Sequence, residues 1–272
     1  MPTTVDKDGW TTVSRRKSNK VLQSTDSTGS VTSNASSIGS SMEFYGPKEN
    51  EEPYNLSCIK NSLSTIEKRK KPRDKRSFFF KDLPHHIRKQ LLLDDVANFS
   101  VTDLRTANRI SEYLCSVTSR NSIVTDGTAC IGGNVFSFSK YFRTVQAVEI
   151  DNGRYNMLRH NIKVLGLENV VCYCQDFSEL LFELKQDVVF LDPPWGGVNY
   201  RSSDKLSLTL GGMELWEICE KLKAAGTNVI AFKLPCNFNT DSLLPHIISA
   251  NVTIREDFRK MLFILVDYRK QK

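Results

Sequence analysis

The stretch DVVFLDPPWGGVNY, residues 187–200, begins as an apolar strand and stops at an acid followed by two prolines. Proline has no backbone N–H and a fixed φ, so two in a row cannot continue a central strand and must open a stiff loop just after Asp192. We therefore predict a buried strand whose carboxyl end carries three candidates for chemistry, Asp192, Pro193 and Trp195. The alternative is a structural turn with a packed tryptophan.

Short runs of β-branched and apolar residues recur on both sides of this strand and alternate with helical stretches. Strands are predicted within residues 122–126, 144–150, 170–174, 187–192, 227–234, 251–257 and 262–268, and helices within 152–165, 212–225 and 241–250. This alternation predicts an α/β fold with a mostly parallel, doubly wound sheet covered on both faces. Only a turn separates the last two strands, so we expect them to form an antiparallel hairpin.

The first quarter of the chain has a different composition. Residues 24–41, STDSTGSVTSNASSIGSS, cannot bury enough apolar surface to offset the entropy of ordering. The run KRKKPRDKR, residues 68–76, is typical of a nuclear import signal, a clamp for RNA phosphates or a solvated linker. We predict a disordered tail over residues 1–74, with a candidate docking motif for a protein partner at 8–17, and a folded domain over 75–272 that includes a helix within 83–93.

Composition narrows the class of protein. The net charge of +6 favours a polyanionic partner. The seven cysteines form no C-x-x-C pair, so we interpret them as reduced thiols and expect no metal site. Neither a long apolar run nor an N-terminal signal sequence is present, so we expect no membrane association.

Acids end three consecutive predicted strands, at the sheet edge where open α/β folds bind ligands. Asp126 ends the first strand, Glu149 the second, and Asp176 follows the third. We expect Glu149 to accept both ribose hydroxyls of an adenosine cofactor and Asp176 to accept the adenine amino group, with Phe177 beside the ring.

The loop after Asp126 reads GTACIGGN, in which Gly132 and Gly133 allow a tight turn and a close approach of a ligand to the backbone. The G-x-G-x-x-G fingerprint of NAD proteins is absent. S-adenosylmethionine, which lacks phosphates, suits this loop and its acids, because Asp126 and its neighbours can hold the methionine ammonium.

Four motifs resemble the trimethylguanosine synthases, the RNA cap guanine-N2 methyltransferases, over about residues 99–272. They are FSVT at 99–102, GGN at 132–134, PPWGG…Y at 193–200 and LPCN at 234–237. The resemblance implies a Rossmann-like, S-adenosylmethionine-dependent methyltransferase fold, with Glu149 on the ribose, Asp176 on the adenine and Trp195 stacked on a 7-methylguanine. It also implies roles for Thr102 and Asn134 in cofactor binding and for Tyr200 and Asn237 in substrate binding.

This sequence departs from the family pattern at two positions. Cys130 stands where the first glycine of the loop is usual, and Asp192 where many members have serine. The first departure could narrow the cofactor loop, and the second changes what faces the target amine.

For the substrate, Asp192 and the carbonyl of Pro193 can both accept hydrogens from an aromatic amine and so position its lone pair. A 7-methylated guanine is cationic, and the face of Trp195 would attract it by about 0.5 to 2 kcal/mol beyond stacking. The candidates for cations near the cap phosphates are Arg201, Lys205 and Lys233.

We therefore expect methyl transfer to the exocyclic 2-amino group of an m7G-capped RNA, in the nucleus, or in the cytoplasm if the source is viral. Two alternatives stay open. One is an adenine 6-amino methyltransferase of RNA or DNA, because DPPW occurs in those enzymes. The other is a non-catalytic RNA-binding subunit, because Cys130 could block the cofactor loop.

Overall fold

A computed structural model of the 272-residue chain describes residues 3–5, 11–13, 74–256 and 261–269. The strands are β1 Thr3–Val5, β2 Thr11–Val13, β3 Ile123–Asp126, β4 Thr144–Glu149, β5 Val170–Cys174, β6 Val188–Leu191, β7 Thr209–Leu210, β8 Met213–Glu214, β9 Val229–Pro235, β10 Asn251–Arg255 and β11 Met261–Asp267. The helices are α1 Arg76–Phe79, α2 His85–Arg88, α3 Ala97–Ser100, α4 Leu104–Val117, α5 Val135–Tyr141, α6 Asn152–Leu165 and α7 Leu215–Ala224.

One large sheet has the strand order β1-β2-β10-β11-β9-β6-β3-β4-β5. The pairs between β5 and β9 are parallel, whereas β11 pairs antiparallel with both β9 and β10. Numbered along the chain, the seven strands from β3 to β11 in this sheet follow the order 3-2-1-4-5-7-6. All seven predicted strands are present, and the predicted fold class, with its C-terminal hairpin, is confirmed.

The strand that precedes the two prolines is buried on both faces. Val188 and Phe190 pack into one hydrophobic cluster, and Val189 and Leu191 into a second cluster on the other side of the sheet. This alternation follows from the two-residue period of a strand. A central parallel strand covered on both faces is uniformly apolar, which explains the sequence pattern of this stretch.

Helix α6 occupies the predicted residues because its ends are encoded locally. The side chain of Asp151 accepts a hydrogen bond from the backbone N–H of Arg154 at 2.8 Å and caps the first turn. At the other end Gly166 has φ of +62°, the left-handed conformation that terminates many helices.

Three predicted helices require correction. Residues 241–250 form no α-helix but two short 3-10 turns, Thr240–Ser242 and Leu244–His246, because Pro245 cannot donate the backbone hydrogen bond that a longer helix would need there. Within 83–93 only α2 is helical, although Leu91 is fully buried beside the domain. Helix α7 begins later than predicted, at Leu215, where Glu214 and Glu217 form a capping box.

Two short segments of the predicted tail are strands. β1 and β2 pair antiparallel, and β2 pairs with β10 in the register Thr11↔Ile254, Thr12↔Thr253 and Val13↔Val252. The other residues up to 73, which include most of the basic run and of the candidate docking motif, lie outside the described residues. The division into a tail over 1–74 and a domain over 75–272 stays a prediction.

Two further observations concern the described residues alone. None of their helices combines the length and the apolar character needed to cross a membrane. Their six cysteines are all free of disulfides, and within 74–256 and 261–269 no three His, Cys, Asp or Glu side chains are grouped to hold a metal ion.

Candidate active site

Carboxylates cluster at the carboxyl end of the sheet. β3 ends at Asp126 and β4 at Glu149, and Asp192 directly follows β6. Burial, with smaller contributions from the negative charges of Asp192 and Glu149, raises the pKa of Asp126 to about 8. A site in which anionic groups crowd one another in this way favours a cationic ligand.

Asp126 has spare hydrogen-bonding capacity. Its Oδ1 accepts a hydrogen bond from the Thr128 N–H at 3.2 Å, whereas Oδ2 is buried and has no partner. Buried polar atoms in native proteins are nearly always paired, so an orphaned carboxylate oxygen at a ligand-binding edge points to a missing partner.

The glycine loop packs tightly against neighbouring chain. Gly132 has φ of +106°, and a Cβ there would lie 2.3 Å from the ring of Phe136. A Cβ on Gly133 would lie 2.8 Å from the carbonyl oxygen of Thr102. The side chain of Asn134 donates to Thr102 Oγ1 at 3.2 Å, and its own Oδ1 is buried without a partner. The structure thus places Thr102 against the loop that contains Gly132, Gly133 and Asn134, and their contact with a cofactor stays a prediction.

Cys130 adopts a conformation that favours glycine. Its φ of +50° lies in the left-handed region, which explains why a glycine is the usual residue at this position. Its backbone N–H donates to Glu149 Oε2 at 2.9 Å, and burial raises the pKa of its thiol to about 12. The loop therefore keeps its glycine-type turn, and the thiol stays neutral.

Glu149 is the hub between β4, the glycine loop and α6. Besides the Cys130 N–H, it accepts hydrogen bonds through Oε1 from the Asp151 N–H at 3.0 Å and from Arg154 Nε at 3.2 Å. A carboxylate offers about four lone-pair sites. With three donors on Glu149, one acceptor site is left for a ligand hydroxyl, so the expectation that it accepts both ribose hydroxyls is reduced to one.

Asp176 and Phe177 have different roles in the structure. The partly exposed Asp176 caps a 3-10 turn by accepting from the Ser178 N–H at 2.8 Å. Phe177 is only 2% exposed, and its ring lies so close to Gly127 that a Cβ there would approach it to 2.8 Å. Phe177 packs against the loop after β3, and its contact with an adenine stays a prediction.

A cavity of about 490 Å³ opens beside the PPW loop. Its lining residues are Val96, Phe99, Ser100, Asp192, Pro193, Pro194, Trp195, Gly197, Tyr200, Arg201 and Lys233. The rings of Trp195 and Tyr200 meet edge to face, with centroids 5.1 Å apart. Five predicted site residues besides Pro193 therefore share one cavity.

Sequence reasoning missed the wall of the cavity that comes from the start of the domain. Val96, Phe99 and Ser100 lie in and beside α3, about ninety residues before the PPW loop, and the Phe99 ring is 68% exposed. The FSVT motif contains two of these residues. Sequence alone could not identify this wall, because the exposure of an aromatic side chain such as Phe99 cannot be read from sequence.

The predicted phosphate-binding cations fall into three different environments. Lys233 is 6% exposed and forms an ion pair with Asp192. Lys205 pairs with Asp241 at 3.2 Å on the surface and does not line the cavity. Arg201 lines the cavity, and its Nε donates to the Tyr200 hydroxyl at 3.1 Å.

Asn237 stabilises the PPW loop from a neighbouring strand end. Its side chain donates to the carbonyl oxygens of Tyr200 at 2.8 Å and Ser203 at 2.7 Å. The LPCN motif is therefore connected to the cavity through Tyr200, and a direct contact of Asn237 with substrate stays a prediction.

Residues 121–267 match a family model described as RNA cap guanine-N2 methyltransferase. The chain belongs to this family. The match runs from just before β3 to the end of β11, so it contains the three strand-end acids, the glycine loop and the PPW loop. The cavity wall formed by Val96, Phe99 and Ser100 precedes the region of this guanine-N2 methyltransferase family that the match covers.

Two curated relatives match a similar region. The uncharacterized protein L320 of Acanthamoeba polyphaga mimivirus is 38% identical over 148 residues, which are 53% of this chain and 57% of that protein. The trimethylguanosine synthase of Schizosaccharomyces pombe is 27% identical over 158 residues, 56% of this chain and 65% of that protein. The chain thus spans less than two thirds of the length of either relative.

Solved structures include distant neighbours of this chain. An rRNA methylase from Streptococcus thermophilus gives a TM-score of 0.45 at 14% identity, covering 60% of this chain and 95% of the neighbour. A SAM-dependent methyltransferase from Agrobacterium tumefaciens gives a TM-score of 0.45 at 11% identity, covering 62% of this chain and 64% of the neighbour.

Proposed function

We propose that this chain transfers a methyl group from S-adenosylmethionine to the exocyclic 2-amino group of a 7-methylguanosine RNA cap. One observation carries the proposal, namely that the indole of Trp195 and the carboxylate of Asp192 line the same cavity at the carboxyl end of the sheet. An aromatic face suits a flat cationic base, and a carboxylate suits its amine.

The residues at the ends of β3 and β4 fit the cofactor. S-adenosylmethionine carries a sulfonium and an ammonium, and the buried Oδ2 of Asp126 has no hydrogen-bond partner among the described residues, whereas the neighbouring Glu149 and Asp192 are paired with Arg154 and Lys233. Glu149 retains one acceptor site for a ribose hydroxyl, and Asp176 is partly exposed at the end of β5. These residues would hold the ammonium, the ribose and the adenine, respectively.

When bound, the cofactor would supply an electrophilic methyl carbon. The amine lone pair would bond to this carbon, the electron pair of the broken S–C bond would stay on sulfur, and the amine nitrogen would give up one proton. The protein contributes position above all. Asp192 and the Pro193 carbonyl would accept the two amine hydrogens and direct the lone pair away from the conjugated ring. Asp192 would also be available to accept the proton that the amine nitrogen gives up.

Trp195 supplies recognition of the methylated base. Its ring is held from the side by Tyr200, and the two preceding prolines restrict the loop that carries it. A rigid indole loses little entropy on binding, so stacking and cation–π attraction are available for affinity. Arg201, at the cavity edge beside Tyr200, is the cation best placed for a cap phosphate.

The test is methyl transfer from labelled S-adenosylmethionine to three RNAs of one sequence, capped with m7G, capped with unmethylated guanosine, or uncapped. The proposal expects label on the m7G-capped RNA alone, and digestion should place it on the guanine 2-amino group. Label on adenine in all three RNAs would favour the adenine 6-amino alternative. Absence of both transfer and cofactor binding in a calorimetric titration would indicate a non-catalytic RNA-binding protein.

A further inference from the structure

We propose that Asp192 and Lys233 act as one charge-neutral pair, in which Lys233 is a positioning residue for Asp192 and the pair lets the Trp195 cavity accept a cationic base. This inference rests on the proposed function and assigns Lys233 a role other than the phosphate contact expected from the sequence. It makes the pair a determinant of preference between a 7-methylated and an unmethylated guanine.

The register of the sheet places the two side chains together. β6 and β9 run parallel, with Leu191 paired to Phe232 as the last matched residues. Asp192 directly follows β6 and Lys233 is the next residue of β9, so the parallel register places them side by side. The backbone N–H of Asp192 also donates to Thr128 Oγ1 at 2.7 Å, which fixes the position of this strand end.

The contact between the two residues is a hydrogen-bonded ion pair inside the protein. Lys233 Nζ donates to Asp192 Oδ2, and the two side chains are 7% and 14% exposed. Burial raises the pKa of Asp192, and the charge and hydrogen bond of Lys233 oppose that rise. Lysine is rarely buried unless paired, so the pairing explains why Lys233 is tolerated at this depth.

The same ammonium lies over the Trp195 ring, on which the base is proposed to stack. Lys233 Nζ is 5.2 Å from the centroid of the Trp195 ring, within the range of a cation–π contact. A cationic base stacked at this indole would therefore approach a second cation. In a half-buried site the repulsion between two unit charges at such a spacing exceeds the cation–π attraction. Asp192 removes that penalty because it neutralises the lysine.

Phosphate binding is a poor alternative for Lys233. The residue is buried beside the base-binding wall, and its ammonium is already engaged by a carboxylate. Arg201 is exposed, lines the same cavity and contacts the ring and hydroxyl of Tyr200, with no carboxylate paired to it within the described part of the chain, so it suits a phosphate better.

The experiment compares equilibrium affinities for 7-methylguanosine diphosphate and guanosine diphosphate by calorimetry, without cofactor, at a pH at which the methylated base is cationic. The proteins are the wild type, Asp192→Asn, Lys233→Met and the double variant, with Arg201→Met as a matched control. The quantity compared is the ratio of the two affinities, which cancels differences in the folded fraction of each sample.

Asp192→Asn leaves an unpaired lysine beside Trp195, so its preference for the methylated ligand should fall roughly tenfold. Lys233→Met removes the competing cation and leaves the Asp192 carboxylate, so the preference for the methylated ligand should increase. The double variant is neutral again, and its preference should return to within about threefold of the wild type. Arg201→Met should lower the affinities for both ligands by the same factor.

A Lys233→Met variant that loses affinity for both ligands equally, with the preference unchanged, would overturn this inference and restore the phosphate role. Equal shifts of the preference in Asp192→Asn and the double variant would overturn it as well, because the lysine charge would then be irrelevant. A wild type without any preference for the methylated ligand would instead overturn the proposed function on which the inference rests.

Discussion

Three carboxylates end adjacent strands of one sheet, yet each has a different local environment. Asp126 is fully buried with an unpartnered oxygen, Glu149 is satisfied by three donors from its own chain, and Asp192 is neutralised by Lys233. Asp126 is therefore the acid whose charged form has no compensating partner among the described residues, and a cationic ligand beside it would stabilise that charged form.

Asp126→Asn should separate stability from cofactor binding. Because the pKa of Asp126 is about 8 in the folded protein and 3.8 ordinarily, folding favours the protonated acid. Its contribution to stability is therefore fully present below pH 3.8 and is lost as the pH rises towards 8. Relative to Asp126→Asn, the wild type should lose about 1 to 4 kcal/mol between pH 5 and 8.

Thermal melting of both proteins across this pH range measures the difference, and calorimetry measures S-adenosylmethionine binding. The variant should melt higher than the wild type at pH 8 yet bind the cofactor more weakly, since it lacks the negative charge. Parallel pH profiles for the two proteins would contradict the assignment of the shifted pKa to Asp126.

Trp195→Ala tests the base-stacking role at single-residue resolution. We expect the affinity for 7-methylguanosine diphosphate to fall by about 2 to 4 kcal/mol, as stacking and cation–π attraction are lost together, with Trp195→Phe recovering part of it. Cofactor affinity should stay nearly unchanged. The matched control is Trp216→Ala, because Trp216 stacks on His246 at 4.7 Å and does not line the cavity.

The control should lower the melting temperature and leave ligand affinity intact. If Trp195→Ala instead lowers the melting temperature and weakens both ligands to the same degree, Trp195 is a packing residue and the cap assignment loses its main support.

Among the elements, the glycine loop between β3 and α5 carries the clearest departure from the family pattern. Cys130→Gly should retain S-adenosylmethionine binding. It should change the free energy of unfolding by no more than about 1 kcal/mol, because the loss of backbone strain at φ of +50° is offset by the greater flexibility of glycine in the unfolded chain. Cys130→Val should lose both stability and cofactor affinity, since a β-branched residue strongly disfavours this conformation.

Melting curves and calorimetric titrations of the two variants provide the measurement. Cofactor binding that appears only in Cys130→Gly would show that the cysteine blocks the loop, as the non-catalytic alternative requires. Equal binding by the wild type and Cys130→Gly would remove that doubt.

The elements that the sequence predicts correctly are those whose signals are local. Seven strands and α6 follow from apolar runs, from the Asp151 cap and from Gly166. The predicted helix over 241–250 is wrong because a proline outweighs the remaining helical pattern. The ion pair of Lys233 with Asp192 cannot be predicted from sequence for a different reason, because the two residues are 41 positions apart and meet only through the parallel pairing of β6 with β9.

At the scale of the whole molecule, the site is assembled from distant parts of the chain. The strand-end acids are readable from sequence because parallel strands of an open sheet present their carboxyl ends at one edge. The contribution of Val96, Phe99 and Ser100 to the cavity cannot be read from sequence, because it depends on how the residues before α4 lie against that edge. The family match over 121–267 omits this wall, so the cavity is built from more of the chain than the matched region.

The last prediction concerns a shortened protein that lacks residues 1–74 and therefore lacks β1 and β2, the strands at one edge of the sheet. Every residue proposed for chemistry lies after 95, so the shortened protein should bind S-adenosylmethionine and 7-methylguanosine diphosphate with wild-type affinity. It also lacks β2, which leaves the backbone groups of β10 unpaired at an edge strand. Unpaired edges promote association between copies, so light scattering after gel filtration should show self-association that increases with protein concentration. Adding Thr253→Lys, a charge at the middle of this edge, should restore the monomer without altering ligand affinity. A shortened protein that stays monomeric at all concentrations would show that β2 is not needed to cover β10, and loss of ligand binding by a folded monomer would place part of the site within the removed residues.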